Sequence, residues 1–536
     1  MKYNFNLGTS DFKKLIENNN FFVDKSLFIK EVINESSDVL LIPRPRRFGK
    51  SLNFSMLRYF FDIKEESREL FEGLKISKEQ EYMEHMNKYP VVLISMKDAS
   101  VPNWNLSKKG LKVTMSEIYR DYREELMDVL DESEKKYYGC IVNEEATDED
   151  LAFSLSKLTK YLERKHDKKV IVLIDEYDAV MTEMYGEKEF VECINFFKLF
   201  YGSALKGNNS IHKALMTGIM RIAKEGIFSG LNNVKVCGVR QKGYREHFGF
   251  REEEIRSLIE ECKLNYEEAK EWYNGYNFGG ALLYNPWSIV NYIMTKKAES
   301  YWKNTSGNDL VRELVRKGGP EIKYNLEKML NGESLKLELE ESINLRNLRA
   351  KDIYSLLLQS GYLTYEELGG ESKCKLPNRE VREFVEELLR EIDEIVFEKS
   401  LEEQFLEKNW EEVEKLIQNG VSRGISYYDI PKEEDIMEGF YHTLLSGMFT
   451  TFTNYYMESN RESGMGRPDI MLINKKKDER VVIELKAGAK NGNVEKELDK
   501  AKEQIRKKRY GEEFTGEVTR IGIGFIGKEA RLEVVE

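Results

Sequence analysis

Three short clusters in this 536-residue chain carry side chains whose types and spacing could do chemistry. In the first, the apolar run 39–42 enters Pro43-Arg44-Pro45-Arg46-Arg47-Phe48-Gly49-Lys50-Ser51 and then the helix-forming LNFSMLRYFFD. A strand, a tight loop and a helix start aim backbone N–H groups at an anion, while a lysine and a hydroxyl reach terminal phosphates and Mg²⁺. Arg46, Arg47, Phe48, Gly49, Lys50 and Ser51 are therefore expected to line an ATP site, with Ser51 on the metal. Arg44 occupies the first-glycine place of G-x-x-x-x-G-K-[ST], and its Cβ disfavours a left-handed backbone, so an altered loop shape is expected. In the second cluster, the run 170–174 delivers Asp175-Glu176-Tyr177-Asp178. Asp175 is expected to hold Mg²⁺ and Glu176 to polarise the attacking water. The run 214–216 leads to Thr217 and Arg221: Thr217 reads either as a γ-phosphate sensor or as a strand cap, and Arg221 as a group that neutralises phosphate charge.

The third cluster is Gly-Arg-Pro-Asp469 leading into DIMLI, followed after a charged turn by Val481-Val482-Ile483-Glu484-Leu485-Lys486. Strand side chains alternate faces, so Glu484 and Lys486 share one face, and a hairpin turning near Lys477 sets Asp469 roughly opposite. Two carboxylates meeting across neighbouring strands bind Mg²⁺ or Mn²⁺, and the lysine orients or deprotonates water. Glu-x-Lys alone is commonplace on exposed hairpins. Here the preceding turn, the apolar VVIEL and a following basic helix favour phosphodiester cleavage, with Asp469, Glu484 and Lys486 as catalytic residues. The helix near 494–510 offers Lys496, Lys500, Lys502, Arg506, Lys507, Lys508 and Arg509 as phosphate partners; its Glu495, Glu497, Asp499 and Glu503 equally allow a salt-bridged solvated face.

The elements that must position these groups follow from periodicity. Short apolar runs at 39–42, 91–94, 170–174, 214–216 and 234–237 alternate with amphipathic stretches, which predicts an α/β domain with a parallel sheet. From about 240 onward helical periods take over, interrupted by WYNGYNFGGALLYNPWS, whose rings pack a small lid or stack on a base. The stretch 380–420 has apolar residues at helical spacing among many charges and reads as a solvated connector. The expected division is a P-loop domain over 1–238, a helical lid over 239–375, a helical connector over 376–433 and a second α/β domain over 434–536. His442, on an apolar helical face, reads as a hydrogen-bonded core histidine.

The length exceeds one core, and 33% charged residues with nine prolines suit ordered, helix-rich domains. Five scattered cysteines without a C-x-x-C pair give no disulfide framework or structural zinc site. With no signal-peptide-like or bilayer-length apolar run, a cytoplasmic location and no membrane partner are expected. A net charge of −12 opposes a general polyanion-binding surface, so any nucleic-acid contact is local.

RPRRFGKSL, IDEYD, TGIMRIAKEGIFSGLNN, WYNGY and YNPWS together resemble the AAA-ATPase-like family of bacteria and archaea, and Phe22-Val23-Asp24-Lys25-Ser26 matches its leading segment. Arginine commonly stands at the Arg44 place in that family, so the resemblance implies a working nucleotide site. SNRESGMGRPDI, VVIELKAG and AKEQIRKKRY resemble the PD-(D/E)XK nuclease superfamily. That likeness implies a further metal-binding carboxylate from Glu438 in MEGFYH, with Glu462 as the alternative, and Gln504 and Tyr510 shaping the substrate side. The expected function is ATP binding and hydrolysis coupled to metal-dependent cleavage of nucleic acid, DNA foremost, with defence against foreign DNA as the expected context and a homo-oligomer as the expected assembly. The alternative is a nucleotide-driven switch or assembly protein whose nuclease-like part only binds nucleic acid; RNA as substrate is left open.

Overall fold

The computed structural model describes residues 4–222, 233–303, 309–345, 348–368, 371–424, 434–459, 462–489 and 492–535. The chain divides into two compact units, Met1–Leu388 and Leu389–Glu536.

In the first unit, β1 (Val39–Pro43), β2 (Val91–Ser95), β3 (Val170–Asp175), β4 (Ile211–Gly218) and β5 (Val234–Val236) form a parallel sheet in the order β2-β3-β4-β1-β5. Every residue of β1 and β3 is buried, as expected for central parallel strands covered on both faces, and explains their unbroken Val-Ile-Leu runs. The order puts β4 between the strand that feeds the P-loop and the strand that delivers Asp175. Ile42 pairs with Thr217 on one side of β4 and Ile174 with Met216 on the other, so the three strand ends finish level.

The stretch expected to be a helical lid also contains two small hairpins, β6 (Tyr276–Phe278) with β7 (Ala281–Leu283) and β8 (Thr364–Leu368) with β9 (Glu371–Lys375). Three-residue strands are too short to display a period of two, so sequence alternation cannot reveal the first of them. The aromatic residues Tyr266, Trp272, Tyr273, Tyr284 and Tyr292 are buried together in a satellite core, which explains them as packing. Helix Arg379–Glu407 leads from this unit into the second.

In the second unit, β10 (Tyr455–Ser459), β11 (Ile470–Asn474), β12 (Glu479–Gly488), β13 (Glu517–Ile526) and β14 (Glu529–Val534) form a mixed sheet in chain order, with β12 and β13 parallel and the other neighbours antiparallel. Helix Val494–Lys508 is the crossover between the parallel pair, and its Ile505 packs with Met471 and Val482. The opposite set of strand residues, including Ile483 and Leu485, packs with Tyr441 and Leu445 of helix Glu434–Thr450. Leu401, Phe405, Val413, Ile417 and Val421 join that same core. The stretch expected to be a solvated connector is thus, in its second half, structural: the apolar stripe is buried, and Glu402 is buried with it, accepting from Thr453 and Asn454. Among the described residues, no helix is long and apolar enough to cross a membrane.

Candidate functional site

Two constellations bring chemically capable side chains together, one in each unit. In the first, β1 ends at Pro43, residues 44–49 turn, and helix Lys50–Phe61 begins. The left-handed positions in this turn are Gly49, at φ 81°, and Arg47, at φ 66°; Arg44 is not among them. The absent first glycine therefore leaves no strain at 44. Arg44 is instead fully buried, donating to the carbonyls of Pro43 at 2.8 Å, Cys237 at 2.6 Å and Gly243 at 3.3 Å, with its guanidinium over the rings of Phe248 and Phe278. Burial pulls its pKa down to about 10, which still leaves it charged at neutral pH. It ties the loop to the chain that follows β5, a role that sequence reading did not assign.

Lys50 is also buried, and its Nζ donates to the loop's own carbonyls, Arg44 O at 3.0 Å and Pro45 O at 2.9 Å. Burial lowers its pKa, opposed by the carboxylates of Glu176, Asp175 and Asp178. Asp175 is 7% exposed and its Oδ1 has no hydrogen-bond partner. Burial pushes its pKa up to about 6, against a hydrogen bond from Ser51. Glu176 follows with a left-handed backbone at φ 52°, a costly conformation for a side-chain-bearing residue that turns the chain sharply at the strand end.

The remaining expected nucleotide residues fall in three environments. Phe48 is buried against Tyr276 and Phe278 of the β6–β7 hairpin, so its side chain serves the loop's anchorage. Arg47 is exposed, with its guanidinium 4.3 Å from the Trp287 ring centre; Arg46 is half-buried. Thr217 is fully buried and its hydroxyl donates to Ile42 O at 3.0 Å, which is the strand-capping arrangement. Arg221 pairs with Glu341 at 2.9 Å, and its backbone N–H donates to Gln359 Oε1 at 2.7 Å. The rest of the TGIMRIAKEGIFSGLNN stretch, 223–232, lies outside the described residues.

In the second unit, antiparallel pairing of Ile470 with Ile483 sets Asp469 beside Glu484, as the hairpin predicted. Asp469 Oδ2 accepts the Leu485 N–H at 2.8 Å. Glu484 is 1% exposed; its Oε1 lies 3.2 Å from Lys486 Nζ, and its Oε2 has no hydrogen-bond partner. Burial and then the neighbouring Asp469 charge push the Glu484 pKa up to about 8. Burial also raises Asp469, although the Leu485 N–H opposes it. Lys486 is pulled down by burial, but its hydrogen bond to Glu438 at 2.9 Å and the three surrounding carboxylates more than offset this and hold it above its ordinary value.

Glu438, expected as a further metal carboxylate, is thus engaged by Lys486, and among the described residues no group of three or more His, Cys, Asp or Glu side chains gathers as a metal cluster. The gathered acids are the pair Asp469 and Glu484. The alternative, Glu462, is exposed and pairs with Arg467 at 2.7 Å. Gln504 donates to Tyr510 Oη at 3.2 Å, and Tyr510 Oη donates to Arg467 O at 3.2 Å, two residues before Asp469. His442 Nε2 lies 3.1 Å from Asp469 O and 2.9 Å from Ser459 Oγ, so it braces the backbone at Asp469 against β10. On the basic helix, Lys500 pairs with Glu497, and Lys502 with Asp499 and Glu533, leaving Lys496, Arg506 and Lys507 exposed.

These features define a P-loop nucleotide-binding unit followed by a mixed-sheet unit with a carboxylate–lysine centre. Comparison with known proteins gives the families. Residues 6–228 match the family model described as a predicted AAA-ATPase, AAA-ATPase-like, and residues 436–534 match that of the PD-(D/E)XK nuclease superfamily. The chain carries one domain of each. It is 24% identical over 399 residues to an uncharacterized protein in the vnfD 5′ region of Azotobacter chroococcum mcd 1, covering 72% of this chain and 69% of that one. A comparison with the ORC2 protein of Aeropyrum pernix, solved with ADPNP and ADP, covers 71% of this chain and 92% of that one, at 11% identity and a TM-score of 0.21.

Proposed function

We propose that this chain binds and hydrolyses ATP in its first unit and cleaves phosphodiester bonds of nucleic acid, with DNA as the expected substrate, in its second. The observation that carries the cleavage reading is the partnerless Oε2 of Glu484, a buried carboxylate oxygen beside Asp469 in a nuclease-superfamily domain. A buried acceptor without a donor is costly, and a divalent cation relieves that cost. The donor set is all oxygen, which suits Mg²⁺ or Mn²⁺, held by Asp469 and Glu484; Asp175, with its own partnerless oxygen, and Ser51 suit the Mg²⁺ that accompanies ATP. A divalent cation at such a carboxylate pair supplies activation of water and neutralisation of phosphate charge.

The chain's own residues do the rest. Lys486 Nζ, fixed between Glu438 and Glu484, orients the attacking water and stabilises negative charge growing on the phosphate. Gln504 and Tyr510 fix the Arg467 carbonyl and with it the turn that presents Asp469. In the first unit Lys50 leaves the loop carbonyls for the phosphates, and Glu176 polarises water for attack on the γ-phosphate. Incubation of the full chain with DNA and with RNA, in Mg²⁺ or Mn²⁺, with and without ATP, tests this beside Lys50→Ala and Glu484→Ala. The reading requires that Lys50→Ala lose ATP turnover and Glu484→Ala lose cutting. Binding of nucleic acid without metal-dependent cutting by the wild type would replace it with a nucleotide-driven binding switch.

A further inference from the structure

The Asp175-Glu176 turn continues into Tyr177 and Asp178, two buried residues that neither the phosphate nor the metal assignment uses. Asp178 is 1% exposed, and its Oδ2 accepts two successive backbone N–H groups, Ile219 and Met220, each at 2.9 Å, just past the end of β4. Consecutive amides converging on one anion form a nest. Tyr177 closes the same junction: its N–H donates to Thr217 O at 2.9 Å, its hydroxyl donates to Met220 O at 2.8 Å, and the Tyr177 Oη accepts the Ile222 N–H at 3.1 Å. Gly218 is the residue that permits this approach, because a Cβ there would lie 2.2 Å from Asp178 Oδ1. With Thr217 Oγ1 bonded to Ile42 O, hydrogen bonds join the ends of β1, β3 and β4. Arg221 is next in line, its N–H on Gln359 and its carbonyl accepting the Ile343 N–H at 2.8 Å.

We propose that Asp178 is a positioning residue of the ATP site: it locks residues 219–222 to the Glu176 turn, so that phosphate engagement by the loop is transmitted to Arg221 and the helical part of the same unit. A carboxylate is a costly filler for a buried turn, and its burial raises its pKa against the two amides and Lys50; two amides held by one oxygen give it a use that an apolar side chain could not serve. Burial alone would be served by any residue of similar volume. The lock requires an acceptor.

This inference rests on the ATPase reading, and the test separates the two. Steady-state ATP turnover and ATP affinity are measured on the full chain for the wild type, Asp178→Ala, Asp178→Asn and Gly218→Ala. Asp178→Ala and Gly218→Ala are expected to lower kcat about tenfold or more while ATP affinity changes less than about threefold, and Asp178→Asn, which keeps an acceptor oxygen, to recover most of kcat. Unchanged kcat in Gly218→Ala, or parallel loss of affinity and kcat with no rescue by Asp178→Asn, overturns the proposal; Gly218→Ala and Asp178→Asn decide it if Asp178→Ala does not fold. Should the wild type bind ATP without turning it over, the hydrolysis reading fails and the lock is read from amide exchange instead. Bound ATP should then slow exchange at 219–222 in the wild type and not in Gly218→Ala, and equal slowing in both would overturn the lock.

Discussion

Arg44 anchors the loop without strain at its own position. A glycine there would be the ordinary P-loop residue, yet the guanidinium fills a fully buried slot with three carbonyl partners and two aromatic faces. Arg44→Gly is therefore predicted to destabilise the first unit by about 3 kcal/mol, because buried carbonyls lose their donor and a large side chain leaves a cavity. Chemical denaturation measures this; a variant as stable as the wild type, with improved ATP affinity, would mean that the arginine is merely tolerated. Glu484 yields a proton prediction. Its pKa is raised to about 8, so below that pH the metal-free carboxyl holds a proton that a cation must displace. Mn²⁺ affinity should rise with pH up to about 8 and level off above it, with proton release near pH 7 detected by calorimetry in buffers of different ionisation enthalpy.

At the scale of elements, Glu380 anchors the start of helix Arg379–Glu407 by accepting the Trp302 N–H at 2.6 Å and the Ser288 hydroxyl at 2.9 Å. Burial lifts its pKa from 4.5 to about 7. The folded chain thus keeps a proton that the unfolded chain sheds, and the stability from this group is full below pH 4.5 and lost as pH rises through about 7. Glu380→Gln should flatten that decline, seen as a smaller fall in thermal midpoint between about pH 5 and about pH 8. The second half of the same helical region carries a second prediction. Since Leu401, Phe405 and Val413 belong to the core of the nuclease-like unit, a fragment of residues 389–536 should unfold cooperatively, and one of 434–536 should not. Phe405→Ala should cost about 3–5 kcal/mol, measured by denaturant unfolding of the longer fragment.

The elements that the sequence made legible are those whose side chains respond to a strong, local demand. Strands β1 and β3 of the first unit appear as unbroken apolar runs because both of their faces are buried, and Asp469, Glu484 and Lys486 meet because strand alternation leaves little other choice. Tertiary decisions were not legible in that way. An amphipathic helix has the same pattern whether its stripe meets solvent-facing neighbours or a core, so Val413 and Ile417 gave no sign of their burial. Phe48 and Arg44 look like loop residues until the distant β6–β7 hairpin and the chain after β5 close over them. Asp178 was visible as one more acid in Asp-Glu-Tyr-Asp, but its partners lie more than forty positions away, as the amides of Ile219 and Met220.

Over the whole molecule, the net charge of −12 sets a long-range field that repels nucleic acid, so grip on a phosphate backbone has to come from local cations. Much of the basic helix is spent on neighbouring acids, and Lys496, Arg506 and Lys507 are exposed cations that it presents outside those pairs. On the proposed reading, the substrate is held at few phosphates and the chemistry is concentrated at the Asp469–Glu484–Lys486 centre. The most direct measurement is the rate at which the full chain cuts labelled DNA and RNA strands in Mn²⁺, compared with Glu484→Gln, which keeps the shape of the buried side chain and removes its capacity for charge. Cutting by the wild type that requires metal and falls at least a hundredfold in Glu484→Gln is the predicted result; equal cutting by the two proteins would contradict the account.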